Sequence, residues 1–156
     1  MLSLVVSVAT LAAEQTPPTL LRPTAVFDGQ TLHAGWAVLI SGDKVVAAGP
    51  ANEIHAPQDA RVIELTGQTL LPGLIEAHSH LLLHAYNETT WNDQVVSESL
   101  AFRVARATAH ARSTLLAGFT TVRDLGTEGA GYADVGLKQA INAGLIPGPR
   151  MIIVTR

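Results

Sequence analysis

His78-Ser79-His80, at the end of the apolar run Leu70-Leu71-Pro72-Gly73-Leu74-Ile75-Glu76-Ala77, is the place in this chain where residue type and spacing could do chemistry. On a strand, successive side chains point to opposite faces, so the two imidazoles share one face. At a rise of roughly 3.3 Å per residue they sit about 6.6 Å apart along the backbone. Two imidazoles at that spacing can converge on one ion, at about 2.0–2.1 Å per Zn–N bond. The same alternation puts Glu76 on the face of the imidazoles. The chain has no cysteine, so any metal must be held by nitrogen and oxygen donors, which suits zinc, manganese or nickel. A His-x-His pair is equally at home on a solvated strand end. The nearly continuous apolar run before it has the pattern of a parallel-sheet strand buried on both faces, which would make its polar end the mouth of a site.

Other polar residues carry weaker signals. Asp124 ends the segment Thr120-Thr121-Val122-Arg123-Asp124 and either hydrogen-bonds a ligand or substrate, pairs with Arg123, or caps the next turn. His84 follows the histidine pair in a loop, as a substrate contact or a solvated loop residue. His110 reads as a helix-surface residue, and His33 and His55 fall in turns without a chemical signal. Trp91 and Tyr86 line a pocket or pack a core. Arg103, Arg106 and Arg112 read as a solvated helix face.

The elements that must position these residues follow from periodicity and turn signals. A small all-β segment of about four strands spans 21–69: Ala25–Phe27, Trp36–Ile40, Lys44–Gly49 and Arg61–Leu65, with Ser41-Gly42-Asp43-Lys44 as a hairpin turn. After the histidine strand and the loop Leu81–Asp93, Gln94–Ala117 reads as one long helix. Its apolar stripe is Val96, Leu100, Val104, Ala107, Ala111 and Leu115, and Gly118 ends it. Thr120–Asp124 is a second strand, Asp134–Ala143 a shorter helix stopped by Gly144, and Arg150–Thr155 a third strand. Strand, helix, strand, helix, strand predicts a parallel α/β sheet over 70–156.

Three segments together resemble a known family. Leu71-Pro72-Gly73-Leu74-Ile75-Glu76-Ala77-His78-Ser79-His80 resembles the first barrel strand of the metal-dependent amidohydrolase superfamily. Gly118-Phe119-Thr120-Thr121-Val122-Arg123-Asp124-Leu125-Gly126 resembles its second, and Pro147-Gly148-Pro149-Arg150-Met151-Ile152-Ile153-Val154 its third. The likeness runs from about Ala25 to the end and is nearest the imidazolonepropionase-like and Xaa-Pro dipeptidase-like branch. Glu76 departs from the Asp that many members carry. The resemblance implies the first strands of a (β/α)8 barrel preceded by a β-sandwich segment. It implies His78 and His80 as ligands of one divalent ion, zinc foremost, with Glu76, His84 and Asp124 as substrate or supporting candidates. It further implies hydrolysis of non-peptide or cyclic amide carbon–nitrogen bonds, with Xaa-Pro dipeptide cleavage as the alternative and ring deamination open. The family's other ligands, a carboxylated Lys or Glu, two His and an Asp, come from later strands. A complete barrel takes about 250 residues, so the sequence reads as an N-terminal part. Alone it is expected to be inactive, and to act through self-association or a complementing C-terminal half.

Composition bounds what remains. The 156 residues are 47% hydrophobic with a formal net charge of −3. That argues against disorder and gives no basic face for nucleic acid. Residues 1–13 carry no charge and are too short to span a bilayer as a helix, which takes about 20 residues. They read as a secretory signal, which places the protein outside the cytoplasm, or as a first strand, which leaves it there.

Overall fold

β1 (Thr19–Phe27) collects its neighbours along both edges. In the computed structural model, which describes residues 16–85 and 87–154, it pairs antiparallel with β3 (Trp36–Ser41) through Thr19–Leu21. Through Ala25–Phe27 it pairs antiparallel with β2 (Leu32–Ala34). Along its other edge it runs parallel to β5 (Arg61–Leu70), and β4 (Lys44–Pro50) extends the sheet beyond β3. The result is a five-stranded sheet, one strand more than predicted, with β2 missed because three residues show no periodicity. Pro23 supplies no N–H, and the register with β5 shifts between Pro23 and Ala25. Gly67 takes up that shift at φ +78°, and its N–H donates to the Thr24 hydroxyl at 2.7 Å. Leu20, Ala37 and Leu39 form the small core, against Ala47, Ala51, Ile54 and Ala56.

The chain divides into two units between Pro72 and Gly73. The second unit alternates β6 (Leu74–Ser79), α1 (Leu100–Leu116), β7 (Phe119–Asp124), α2 (Ala133–Asn142) and β8 (Arg150–Ile153). Its sheet is parallel throughout, in the order β6-β7-β8. One face packs on the helices: Val122 of β7 and Met151 of β8 join Leu82, Ala107, Ala111 and Leu137 in a buried cluster. Full burial of a residue such as Leu82 or Leu137 contributes about 1.5–3 kcal/mol. The alanines of α1 let the helix lie close to the sheet. Gly73 does the same for two strands, since a Cβ there would overlap the Thr120 side chain.

Several expectations are corrected here. β6 is not buried on both faces: Leu74 is 42% exposed and Ile75 70%. Among the described residues β6 is an edge strand and only one face of its sheet carries helices, so its second apolar face meets solvent. The single helix expected over 94–117 is two pieces. A π-helical turn at Asp93–Ser97 is followed by an extended Glu98 (ψ 136°), and α1 starts afresh with the Ser99 hydroxyl accepting from Phe102 N–H at 3.3 Å. A serine cap stabilises a new start there. Val96 and Leu100, placed on the buried stripe by sequence, are 71% and 55% exposed. The expected signal segment 1–13, Tyr86 and Thr155 lie outside the described residues.

Candidate metal-binding site

His78 and His80 stand at the C-terminal end of β6, where a register shift between Glu76 and Ser79 inserts an irregularity against β7. The shift decides which side chains meet. Glu76 pairs in register with buried Val122 on the helix side, and after the break Ser79, not His78, pairs with Asp124. Glu76 therefore lines a cleft with Ser113 and Thr114 of α1 and with Ala117 just after it. His78 and His80 open into a different cleft of about 390 Å³ with Leu83, His84 and Ala85. Strict alternation had put Glu76 beside the imidazoles; a bulge breaks that count. Glu76 acts locally instead, its Oε1 accepting from His78 N–H at 2.9 Å.

The two imidazoles do face each other, with ring centroids 5.4 Å apart and planes at 64°. His80 Nδ1 lies 2.9 Å from the Gly126 carbonyl oxygen. A carbonyl only accepts, so Nδ1 carries the proton and Nε2 of the neutral ring keeps its lone pair. That is the donor a metal ion needs, oriented by a backbone partner on the other nitrogen. The pair fits two positions of a nitrogen-ligated divalent site. Among the described residues no group of three or more His, Asp or Glu gathers to complete one. Zinc sites ordinarily take three or four protein ligands.

Asp124 is fully buried at the end of β7. Its carboxylate accepts from Leu81 N–H at 2.9 Å and Gly126 N–H at 3.1 Å. Of the three roles open to it from sequence, the turn-capping one matches these bonds. Burial pushes its carboxyl above the usual range, and the two amide bonds pull against that shift. Neighbouring Leu125 N–H donates to Ser79 O at 2.8 Å, closing the strand ends together.

His84 lines the cleft with both nitrogens engaged, Nδ1 3.0 Å from Glu88 and Nε2 3.2 Å from Glu98. Glu98 also binds Arg106 at 2.7 Å. Burial pushes the Glu98 carboxyl up, but the hydrogen bond and charge of Arg106, with His84, outweigh it and hold it below its ordinary value. His110, expected on the helix surface, is half-buried with Nδ1 3.0 Å from Leu81 O. Trp91 is not a core residue: it is 46% exposed and its indole N–H reaches Glu128 at 3.3 Å.

Sequence reasoning missed two supports of this site. Arg103, assigned to a solvated face, is 2% exposed. Its guanidinium donates to the carbonyls of Leu82 (3.3 Å), Glu128 (3.0 Å) and Thr127 (2.7 Å). Buried Gln94 accepts from His84 N–H and donates to Thr89 O. Arg103 had a signal, its i, i+4 spacing with Ala107 and Ala111; Gln94 had none.

Comparison with known proteins places these features in context. The model described as "Amidohydrolase family" matches residues 69–155, more than half of the chain. An N-substituted formamide deformylase of Arthrobacter pascens is 40% identical over 52 residues, 32% of this chain and 10% of that protein. A solved amidohydrolase matches with TM-score 0.72 and 32% identity, covering 89% of this chain and 32% of its own. A Xaa-Pro dipeptidase with methionine bound in its active site matches with TM-score 0.74 and 26% identity, covering 89% of this chain and 33% of that one. A prolidase complexed with N-methylphosphonate-L-proline matches with TM-score 0.71 and 28% identity, over 89% and 32%. These solved relatives are (β/α)8-barrel proteins, and β6 to β8 with their helices correspond to an incomplete barrel. The chain spans about a third of their length.

Proposed function

The chain belongs to the amidohydrolase family, and on that footing we propose that it supplies the first two ligands, His78 and His80, of a divalent-metal hydrolase of carbon–nitrogen bonds. The observation that carries the reading is the oriented pair: two rings 5.4 Å apart, one fixed through Nδ1 with its Nε2 lone pair free. A bound divalent ion, zinc by preference, supplies Lewis acidity that polarises a carbonyl and acidifies water. The residues of this chain hold and orient. Gly126 O fixes the His80 ring, Glu76 fixes the His78 backbone, and His84, held by Glu98 and through it by Arg106, is a polar member of the cleft lining.

The substrate is a small amide. The formamide deformylase likeness supports a non-peptide amide. A second reading, a Xaa-Pro dipeptide, is favoured by the likeness to a Xaa-Pro dipeptidase and a prolidase. Two imidazoles bind zinc weakly, so the 156 residues alone are inactive, and the remaining ligands come from a further polypeptide segment or another copy. Export rests on residues 1–13 alone, and N-terminal sequencing of the mature protein tests it.

The test is hydrolysis of N-substituted formamides and Xaa-Pro dipeptides by the chain with added zinc, alone and beside His78→Ala/His80→Ala. We expect weak zinc binding lost in the double variant and no turnover. Zinc-dependent turnover by the chain alone would overturn the inactivity reading. Zinc binding untouched by the double variant would overturn the ligand assignment.

A further inference from the structure

Asp124 is a fully buried carboxylate at the C-terminal end of β7. Its two oxygens reach two different strand ends. Oδ2 accepts from Leu81 N–H, the residue after His80, at 2.9 Å. Oδ1 accepts from Gly126 N–H at 3.1 Å, and the carbonyl of the same Gly126 accepts from His80 Nδ1 at 2.9 Å. The carboxylate thus holds the backbone just after His80 and the group that orients its ring. Gly126 sits at φ +132°, a conformation side chains rarely adopt, so the turn that presents this carbonyl depends on glycine and on the bond to its N–H.

We propose that Asp124 is a positioning residue: through Leu81 N–H and Gly126 it sets the orientation and tautomer of His80, and so the availability of His80 Nε2 to a metal ion. This deepens the metal-ligand reading of His80. Asp124 is not placed as a ligand: each of its oxygens accepts from a backbone amide, and among the described residues it does not gather with His78 and His80 into a metal-holding group. A carboxylate is the side chain that serves here because it accepts at both oxygens. In Asp124→Asn the NH2 group must face one of the two N–H donors, so one of the two ties is lost whichever way the amide turns.

The experiment is nitrogen-15 NMR of the histidine rings in the metal-free chain at mildly alkaline pH. In the unmodified chain we expect His80 protonated at Nδ1 and bare at Nε2, with slow amide exchange at Leu81 and Gly126. In Asp124→Asn we expect the two ring nitrogens to move toward a mixed tautomer and zinc affinity to fall about 10–100-fold, the usual loss when a ligand's orienting partner is removed. A purely structural role for Asp124 would lower stability without moving the tautomer, and that result overturns the proposal. So does a proton on Nε2 in the unmodified chain. If Asp124→Asn does not fold, the unmodified chain still decides: free exchange of the Leu81 and Gly126 amides refutes the tie. His80→Ala separates the two levels. Unchanged zinc affinity in that variant defeats the ligand reading, while the ring tautomer and the amide protection report on Asp124 without any metal.

Discussion

Replacing Arg103 with Met should cost the second unit about 3–4 kcal/mol. Among the described residues Arg103 is a buried cation with no carboxylate on its guanidinium; its partners are three backbone carbonyls drawn from the loops that follow β6 and β7. Burial pulls its pKa down, and Arg106 adds to that, against the raising pull of Glu98 and Glu128. Methionine keeps most of the aliphatic stem, so the loss isolates the hydrogen bonds. Two of them, to Thr127 O at 2.7 Å and Glu128 O at 3.0 Å, are well formed, and the third at 3.3 Å is weak. Bonds to a charged group are each worth about 1.5–3 kcal/mol, and the two good ones at the lower end give about 3–4 kcal/mol. Urea unfolding followed by far-ultraviolet circular dichroism reads this directly. With a slope of about 1–3 kcal/mol per molar urea, the midpoint should drop by more than about 1 M. Arg103→Lys should recover less than half of the loss, because an ammonium cannot reach three carbonyls with the planar fork. A midpoint for Arg103→Met within about 0.3 M of the parent would refute the claim that these bonds hold the loops, since at the same slope it bounds the loss below about 1 kcal/mol.

Other consequences are as direct. Gly73→Ala should destabilise by about 1–3 kcal/mol, because its Cβ overlaps Thr120; Thr120→Ala should relieve part of that in a double-mutant cycle read by thermal unfolding, and strict additivity would contradict the overlap. Ser99→Ala should cost about 1 kcal/mol by removing the cap that starts α1, with no change in melting temperature as the opposing result. Asp28 is held at about 2 first by Thr31 N–H, then by His33 and Gln30 N–H. A carboxylate depressed below its unfolded value stabilises above that value, so the turn should loosen as pH falls from about 4 toward about 2, and carboxyl NMR of Asp28 titrating near its ordinary value would contradict this. Glu98 is also depressed, and Arg106→Gln should raise its titration midpoint and erode stability as pH falls through the carboxylate range; an unmoved midpoint would show that Arg106 is not its main partner.

The parts of the molecule legible in the sequence are those governed by local periodicity and turn chemistry. The hairpin at Gly42-Asp43, the stop at Gly118, the short helix before Gly144 and the order of parallel strands all follow from such signals. What escaped depends on tertiary context. Alternation could not reveal that a register shift between Glu76 and Ser79 sends Glu76 to the helix side and the imidazoles to the other. Helical spacing favoured Val96 and Leu100 over Arg103, because hydrophobicity ranks a guanidinium last. Three backbone carbonyls at one point make that side chain the one that must be buried. The apolar run of β6 did announce a parallel strand, but burial on two faces also needs a packed layer on each, and among the described residues helices cover only one face of its sheet. The histidine pair itself was readable from spacing; the carbonyl that orients it, 46 residues away in sequence, was not.

The central claim is that His78 and His80 are two ligands of a metal site. Calorimetric titration of the metal-free chain with Zn2+, beside the His78→Ala/His80→Ala variant, tests it most directly. The account predicts weak one-to-one binding that disappears in the variant. Equal zinc binding by both, or none by the unmodified chain, would contradict it.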